Sequence, residues 1–143
     1  MEKLKVFLDS SVLIHLLSGQ SELLKLFSDE VLSKVTYITS PIAFQELLFA
    51  IDGTDKELNL GRLEENVCLV PVEPEKLDST IKKELRRFRN LAVHGNDVLL
   101  IGTAEASNSD YFLTYDKKLM KAVENTSIKA ESPEEFIESL KAA

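Results

Sequence analysis

The sequence predicts an α/β fold: a central parallel sheet with helices on both sides, in three layers. Two observations carry this. Short runs rich in β-branched and aromatic residues alternate with segments whose apolar residues recur at helical spacing. Helix-start chemistry stands between them, as at Ser40-Pro41 and Ser132-Pro133. The chain has 143 residues, 44% of them hydrophobic, which suffices for one core without staples. Residues 1–143 are therefore read as a single domain.

Taken in order, Leu4–Leu8 is the first strand. Ser10-Ser11 leads into a helix with Val12, Leu13, Leu16 and Leu17 as its apolar stripe, and Gly19 stops it. Ser21 is expected to cap a second helix, with Leu23, Leu24, Phe27 and Leu32 inward. Val35–Thr39 is the second strand. Ser40 caps a helix running to about Ile51, which ends near Asp52-Gly53. A polar segment follows to Asn66, and Val67–Val72 is the third strand. Leu77, Ile81, Leu85 and Phe88 define a further helix. Asn96-Asp97 opens the next, to about Ser107. Tyr111–Thr114 is the fourth strand, and Asp116 opens another helix. Ser127–Ala130 is the fifth strand. Ser132-Pro133-Glu134-Glu135 is a capping box before a closing helix through Phe136 and Leu140.

Several classes are disfavoured. The net charge of −7 speaks against a non-specific nucleic-acid coat protein. The lone cysteine, Cys68, forms no intramolecular disulfide, and its apolar run suggests a buried small hydrophobe. No apolar run is long enough to span a bilayer. The chain enters a strand at once, so a cytoplasmic protein without membrane attachment is expected. A Gly-rich dinucleotide turn is missing. A dehalogenase-type phosphatase would need Asp where Ser11 stands. A receiver domain would need a phosphoacceptor Asp after the third strand, and Val72-Glu73-Pro74 offers none there.

Ligands of parallel sheets bind beyond the carboxyl ends of the strands. Asp9 follows the first strand, Asp116 the fourth, Asp97 heads the preceding helix, and Glu46 lies on the helix after the second. Each Asp has a plain explanation as a helix cap, worth ~0.5–2 kcal/mol. Glu46 does not. Its helix, Ile42 to Ile51, is apolar on nearly every side and holds no Lys or Arg, and a buried unpaired carboxylate is expensive. Converging acids would repel one another, and Mg²⁺ or Mn²⁺ would relieve that.

The run Val6-Phe7-Leu8-Asp9-Ser10-Ser11-Val12-Leu13-Ile14 resembles the opening of a PIN domain. Ser40-Pro41-Ile42-Ala43-Phe44-Gln45-Glu46-Leu47 is similar to the segment where that family carries its Glu. Asn96-Asp97-Val98-Leu99-Leu100-Ile101-Gly102-Thr103-Ala104 resembles its third acidic motif, and Tyr111-Phe112-Leu113-Thr114-Tyr115-Asp116 its fourth. The motifs span nearly the whole chain in the family's order. The resemblance implies a PIN-type sheet and a metal site of Asp9, Glu46, Asp97 and Asp116 holding Mg²⁺ or Mn²⁺. It also implies cleavage of RNA to 5′-phosphate and 3′-hydroxyl ends, in the manner of VapC-type toxins. Ser10 and Thr114 are expected to contact substrate. The implied partners are RNA, an antitoxin and a second copy of the chain, with the Asp52 to Asn66 segment as a contact.

Lys82, Lys83, Arg86, Arg87 and Arg89 form a basic helix face that fits RNA phosphates; a solvated surface paired with Glu84 is the plain alternative. His15 is read as packing at a helix surface, His94 and Asp110 as loop residues. The rival from another class is a catalytically silent PIN-like module that binds RNA or protein without cutting.

Overall fold

A computed structural model describes residues 2–19, 23–55, 60–70, 82 and 95–142. The strands are β1 (Leu4–Leu8), β2 (Val35–Thr39), β3 (Val67–Leu69), β4 (Tyr111–Leu113) and β5 (Lys129–Glu131). They form one five-stranded sheet in the order β3-β2-β1-β4-β5, with every pairing parallel. The described helices are α1 (Ser10–Leu17), α2 (Asp29–Leu32), α3 (Pro41–Ile51), α4 (Leu60–Asn66), α5 (Gly95–Ala106), α6 (Lys117–Val123) and α7 (Pro133–Ala142). A 3₁₀ turn at Leu23–Phe27 precedes α2.

The parallel α/β architecture expected from the alternation is the one observed. Strand order reverses on either side of β1, which pairs with β2 on one edge and β4 on the other. A crevice therefore opens beyond the carboxyl ends of β1 and β4. Val6, Phe7 and Leu8 are fully buried, and the Phe7 and Phe112 rings stack at 5.1 Å across this central pair. Removing either ring would cost about 3–5 kcal/mol by the usual cavity penalty.

Local chemistry explains the helix ends. The Ala43 N–H donates to the Ser40 hydroxyl at 3.2 Å, with Pro41 in the first turn. Ser132 and Glu135 exchange backbone-to-side-chain hydrogen bonds, the reciprocal capping box. Gly19 follows α1 at φ 72°, a left-handed conformation that favours glycine.

Some expectations need correction. Ser21, the expected cap of the second helix, lies outside the described residues; Leu23–Phe27 is a 3₁₀ turn rather than part of one long helix, and α2 is capped by Ser28, whose hydroxyl accepts from the Val31 N–H. The third strand ends at Leu69, with the Val70 N–H donating to the Thr39 carbonyl; Val72 lies outside the described residues. The segment before it is not merely polar. It contains α4, which buries Leu63. The last strand is Lys129–Glu131, not Ser127–Ala130. Cys68 is exposed: among the described residues β3 is an edge strand, and Cys68 pairs with Ile38 on one side only. The helix expected around Leu77 to Arg89, with Lys83, Arg86, Arg87 and Arg89, lies outside the described residues, as does His94; Lys82 is exposed. Among the described residues, no helix is long and apolar enough to cross a membrane.

Candidate active site

Asp9 is the residue after β1 and the first flanking residue of α1, with extended backbone (φ −75°, ψ 160°). Its carbonyl accepts the first helical hydrogen bonds, from the Val12 and Leu13 N–H groups at 3.1 Å. Its side chain, however, caps nothing. The carboxylate turns instead toward the β4 side of the crevice. Thr114 Oγ1 donates to Oδ2 at 2.7 Å, Ser11 Oγ donates to Oδ2 at 3.0 Å, and Ser10 Oγ approaches Oδ1 at 3.5 Å. Asp9 is only 4% exposed. Burial pushes its pKa above the ordinary carboxylate value; hydrogen bonds from Thr114, Ser11 and the Ser10 backbone oppose the rise, and the charge of Asp97 adds to it.

Glu46 reaches this group through Ser10, whose hydroxyl donates to Glu46 Oε2 at 2.7 Å. The expected environment of Glu46 needs correction. It is half-buried rather than enclosed, and its helix is not apolar against protein on all sides: Leu48 and Phe49 are 42% and 74% exposed. α1 packs on α3, which brings Ser10 and Glu46 together over 36 positions of sequence.

Asp97 stands in the first turn of α5, half-buried, close enough for its charge to act on Asp9. Its helix buries Val98, Leu100, Ile101 and Ala104, so Asp97 is presented from a fixed support. Asp116 is exposed and does cap: its Oδ1 accepts from the Lys118 and Leu119 N–H groups at 2.9 and 3.3 Å. Among the described residues, no ion pair links it to Lys117. Its own N–H donates to Thr114 Oγ1 at 3.0 Å. The fully buried Thr114 hydroxyl therefore donates to Asp9 and accepts from Asp116, joining the ends of β1 and β4.

The structure thus brings Asp9, Ser10, Glu46 and Thr114 into one hydrogen-bonded group, with Asp97 coupled by charge and Asp116 by its backbone. Among the described residues, no group of three or more His, Cys, Asp or Glu side chains stands close enough to hold a metal ion as positioned. The donor chemistry nonetheless fits a hard cation: carboxylate oxygens oriented by neutral hydroxyls. The hydroxyls that hold the buried Asp9 carboxylate are uncharged, so none of them brings a positive charge to offset it.

Two participants were not singled out by sequence reasoning. Ser11 Oγ bonds both the Asp9 carboxylate and the Tyr115 N–H, the latter at 3.2 Å. Tyr115 packs its ring against His15. The signal for Ser11 was its place two residues after Asp9; Tyr115 gave none, since its contacts are long-range. Asp110 is a loop residue at the other end of β4, accepting from the Lys5 N–H at 2.8 Å.

A parallel sheet with acids gathered beyond its central carboxyl ends defines a class, and comparison identifies it. The PIN domain model matches residues 6–125, and the chain belongs to the PIN-domain family. Among curated proteins, none matches the chain at a significant level. Solved structures similar to it include VapBC2 from Rickettsia felis bound to a promoter DNA fragment. That match has 15% identity and a TM-score of 0.72, covering 90% of this chain and 98% of the other. VapBC-1 from nontypeable Haemophilus influenzae gives 16% identity and a TM-score of 0.71 over 92% and 99% of the two chains. VapC20 from Mycobacterium tuberculosis, described as a toxin that cleaves the sarcin-ricin loop, gives 14% and 0.64 over 87% and 98%. At these identities the likeness is one of fold.

Proposed function

We propose that this protein is a divalent-metal-dependent endoribonuclease, the toxin of a toxin–antitoxin pair. The observation that carries the reading is Asp9: a buried carboxylate, declined as a helix cap and held by hydroxyls within reach of a second acid's charge. Nothing in capping or in a merely binding module requires that arrangement. The family and the described activity of VapC20 support RNA as the substrate.

Asp9, Glu46, Asp97 and Asp116 would hold Mg²⁺ or Mn²⁺, one ion or two. When bound, the metal lowers the pKa of a coordinated water and stabilises charge on the phosphate oxygens. The chain's own contribution is orientation. Thr114 and Ser11 fix the Asp9 carboxylate, and Ser10 aims Glu46 from the neighbouring helix. Of the two hydroxyls expected at the substrate, that of Thr114 is fully buried and acts on Asp9, while Ser10 acts on Glu46. The basic residues Lys83, Arg86 and Arg87 supply a phosphate grip in an otherwise acidic chain.

The test is cleavage of a mixed RNA substrate with and without EDTA. Products with 5′-phosphate and 3′-hydroxyl ends, lost in EDTA and in Asp97→Asn, are expected. Full activity in EDTA or in Asp97→Asn would refute the mechanism and leave the silent binding module standing. For assembly, we propose a homodimer that also binds an antitoxin; a similar structure, a toxin–antitoxin complex from Klebsiella pneumoniae, supports the antitoxin. The exposed Leu48 and Phe49, next to the Asp52 to Asn66 segment, offer apolar surface for such contact. Light scattering showing a monomer at every working concentration would count against the dimer.

A further inference from the structure

His15 and Tyr115 come from α1 and from the turn after β4, and their rings meet at 4.5 Å between centroids, tilted by 43°. Hydrogen bonds hold both. His15 Nδ1 lies 2.7 Å from the Ser11 carbonyl; a carbonyl only accepts, so the proton is on Nδ1. The Tyr115 N–H donates to Ser11 Oγ, and its hydroxyl donates to Glu134 Oε1 at 2.8 Å on α7. Ser11 Oγ is the same atom that donates to Asp9. The two half-buried residues are therefore both tied to Ser11, the residue that holds the Asp9 carboxylate. Nε2 of His15 has no hydrogen-bond partner among the described residues, and in the neutral ring it carries a lone pair.

We propose that His15 and Tyr115 form the nucleotide-contacting face of the site, on which a base flanking the scissile phosphate stacks. Rings and bases suit each other whatever the base, since every base has a π-face. The His15 Nε2 lone pair adds an acceptor for a base N–H or a ribose hydroxyl. Simple packing of surface aromatics does not call for a hydrogen bond on each ring and a third that ties the Tyr115 backbone to the serine holding Asp9. In this role both residues touch the substrate, and the inference rests on the ribonuclease reading above.

The experiment uses the strongest site that the wild type cuts in total RNA, synthesised as a short oligonucleotide. His15→Ala and Tyr115→Leu should raise KM about tenfold, the scale of one stacked base, with kcat unchanged. Tyr115→Phe keeps the stacking ring but loses the hydroxyl bonded to Glu134, and should raise KM less than Tyr115→Leu does. An abasic nucleotide at one flanking position should raise the wild-type KM by the same factor and leave that of His15→Ala where it was. Wild-type KM in both variants, or a fall in kcat at constant KM, overturns the proposal; the latter means that the rings only brace Ser11. Photocrosslinking of wild-type protein to thiouridine-substituted RNA in EDTA does not depend on variants folding. Crosslinks in peptides containing His15 or Tyr115 are expected, and crosslinks confined elsewhere overturn the assignment. A wild type that cuts no RNA with Mn²⁺ present removes this inference together with the reading beneath it. Normal cleavage with unmoved KM removes this inference alone.

Discussion

Replacing Asp9 with Asn separates stability from activity. The amide keeps the shape: its oxygen can accept from Thr114 and Ser11 as Oδ2 does, and its NH₂ then lies toward Ser10 Oγ. What disappears is a buried negative charge. Burial raises the Asp9 pKa above 3.8 in the folded state, so the folded protein binds that proton more tightly than the unfolded chain. The ionised group therefore destabilises the metal-free protein above its folded pKa. The penalty shrinks as pH falls through that value and vanishes below the unfolded one. In EDTA near pH 8, Asp9→Asn should melt at or above the wild type, and the gap should close on acidification. Cation binding reverses the order. At a hundredfold excess over Kd, a ligand adds about 2.7 kcal/mol to the native state. At roughly 2–4 °C per kcal/mol for a chain of this size, the wild-type Tm should rise by about 5–11 °C. The variant, lacking a ligand, should rise far less and should not cleave RNA. Differential scanning calorimetry with EDTA or Mn²⁺ reads all of this. An Asp9→Asn protein that melts well below wild type in EDTA, or that gains as much from Mn²⁺, would refute the reasoning.

Other outcomes follow from the same contacts. Ser10→Ala removes the donor that aims Glu46 and should weaken Mn²⁺ binding about 10–100-fold by calorimetric titration; unchanged affinity would mean that Glu46 needs no guide. Tyr37→Phe should stabilise the protein by about 1–3 kcal/mol in denaturant titrations, because the Tyr37 hydroxyl is buried without a partner among the described residues. A loss of stability would show that the hydroxyl is satisfied in solution. The triple change Lys83→Ala, Arg86→Ala and Arg87→Ala should weaken RNA binding and flatten its salt dependence; an unchanged salt slope would leave that face as solvated surface.

The sheet was legible because its central strands are written in β-branched and aromatic residues and buried from both sides, as Val6-Phe7-Leu8 shows. Its edges were less so. Among the described residues β3 has a neighbour on one side only, and Cys68 and Leu69 are exposed despite their apolar run. α4 escaped notice because its periodic signal is little more than Leu60 and Leu63, too short to stand out from a polar stretch. In the candidate site, the positions of Asp9, Asp97 and Asp116 relative to the strands could be read directly. The difference among them could not. Asp116 caps its helix and Asp9 does not, and that depends on where Thr114 and Ser11 point once β4 lies against β1. Glu46 was singled out for a burial it only half has; its connection to the site is a hydroxyl 36 residues away.

The Thr114 hydroxyl has a consequence in time as well as space. It joins Asp9 to a residue 105 positions later in the chain. A polypeptide leaving the ribosome begins to fold from its N-terminus. For most of its synthesis it has β1 and Asp9 without β4, so the carboxylate has no Thr114 to hold it and no Asp116 beside that. The site is completed only after most of the chain has been made. A site proposed to cut RNA is thereby missing from the growing chain until β4 has been made.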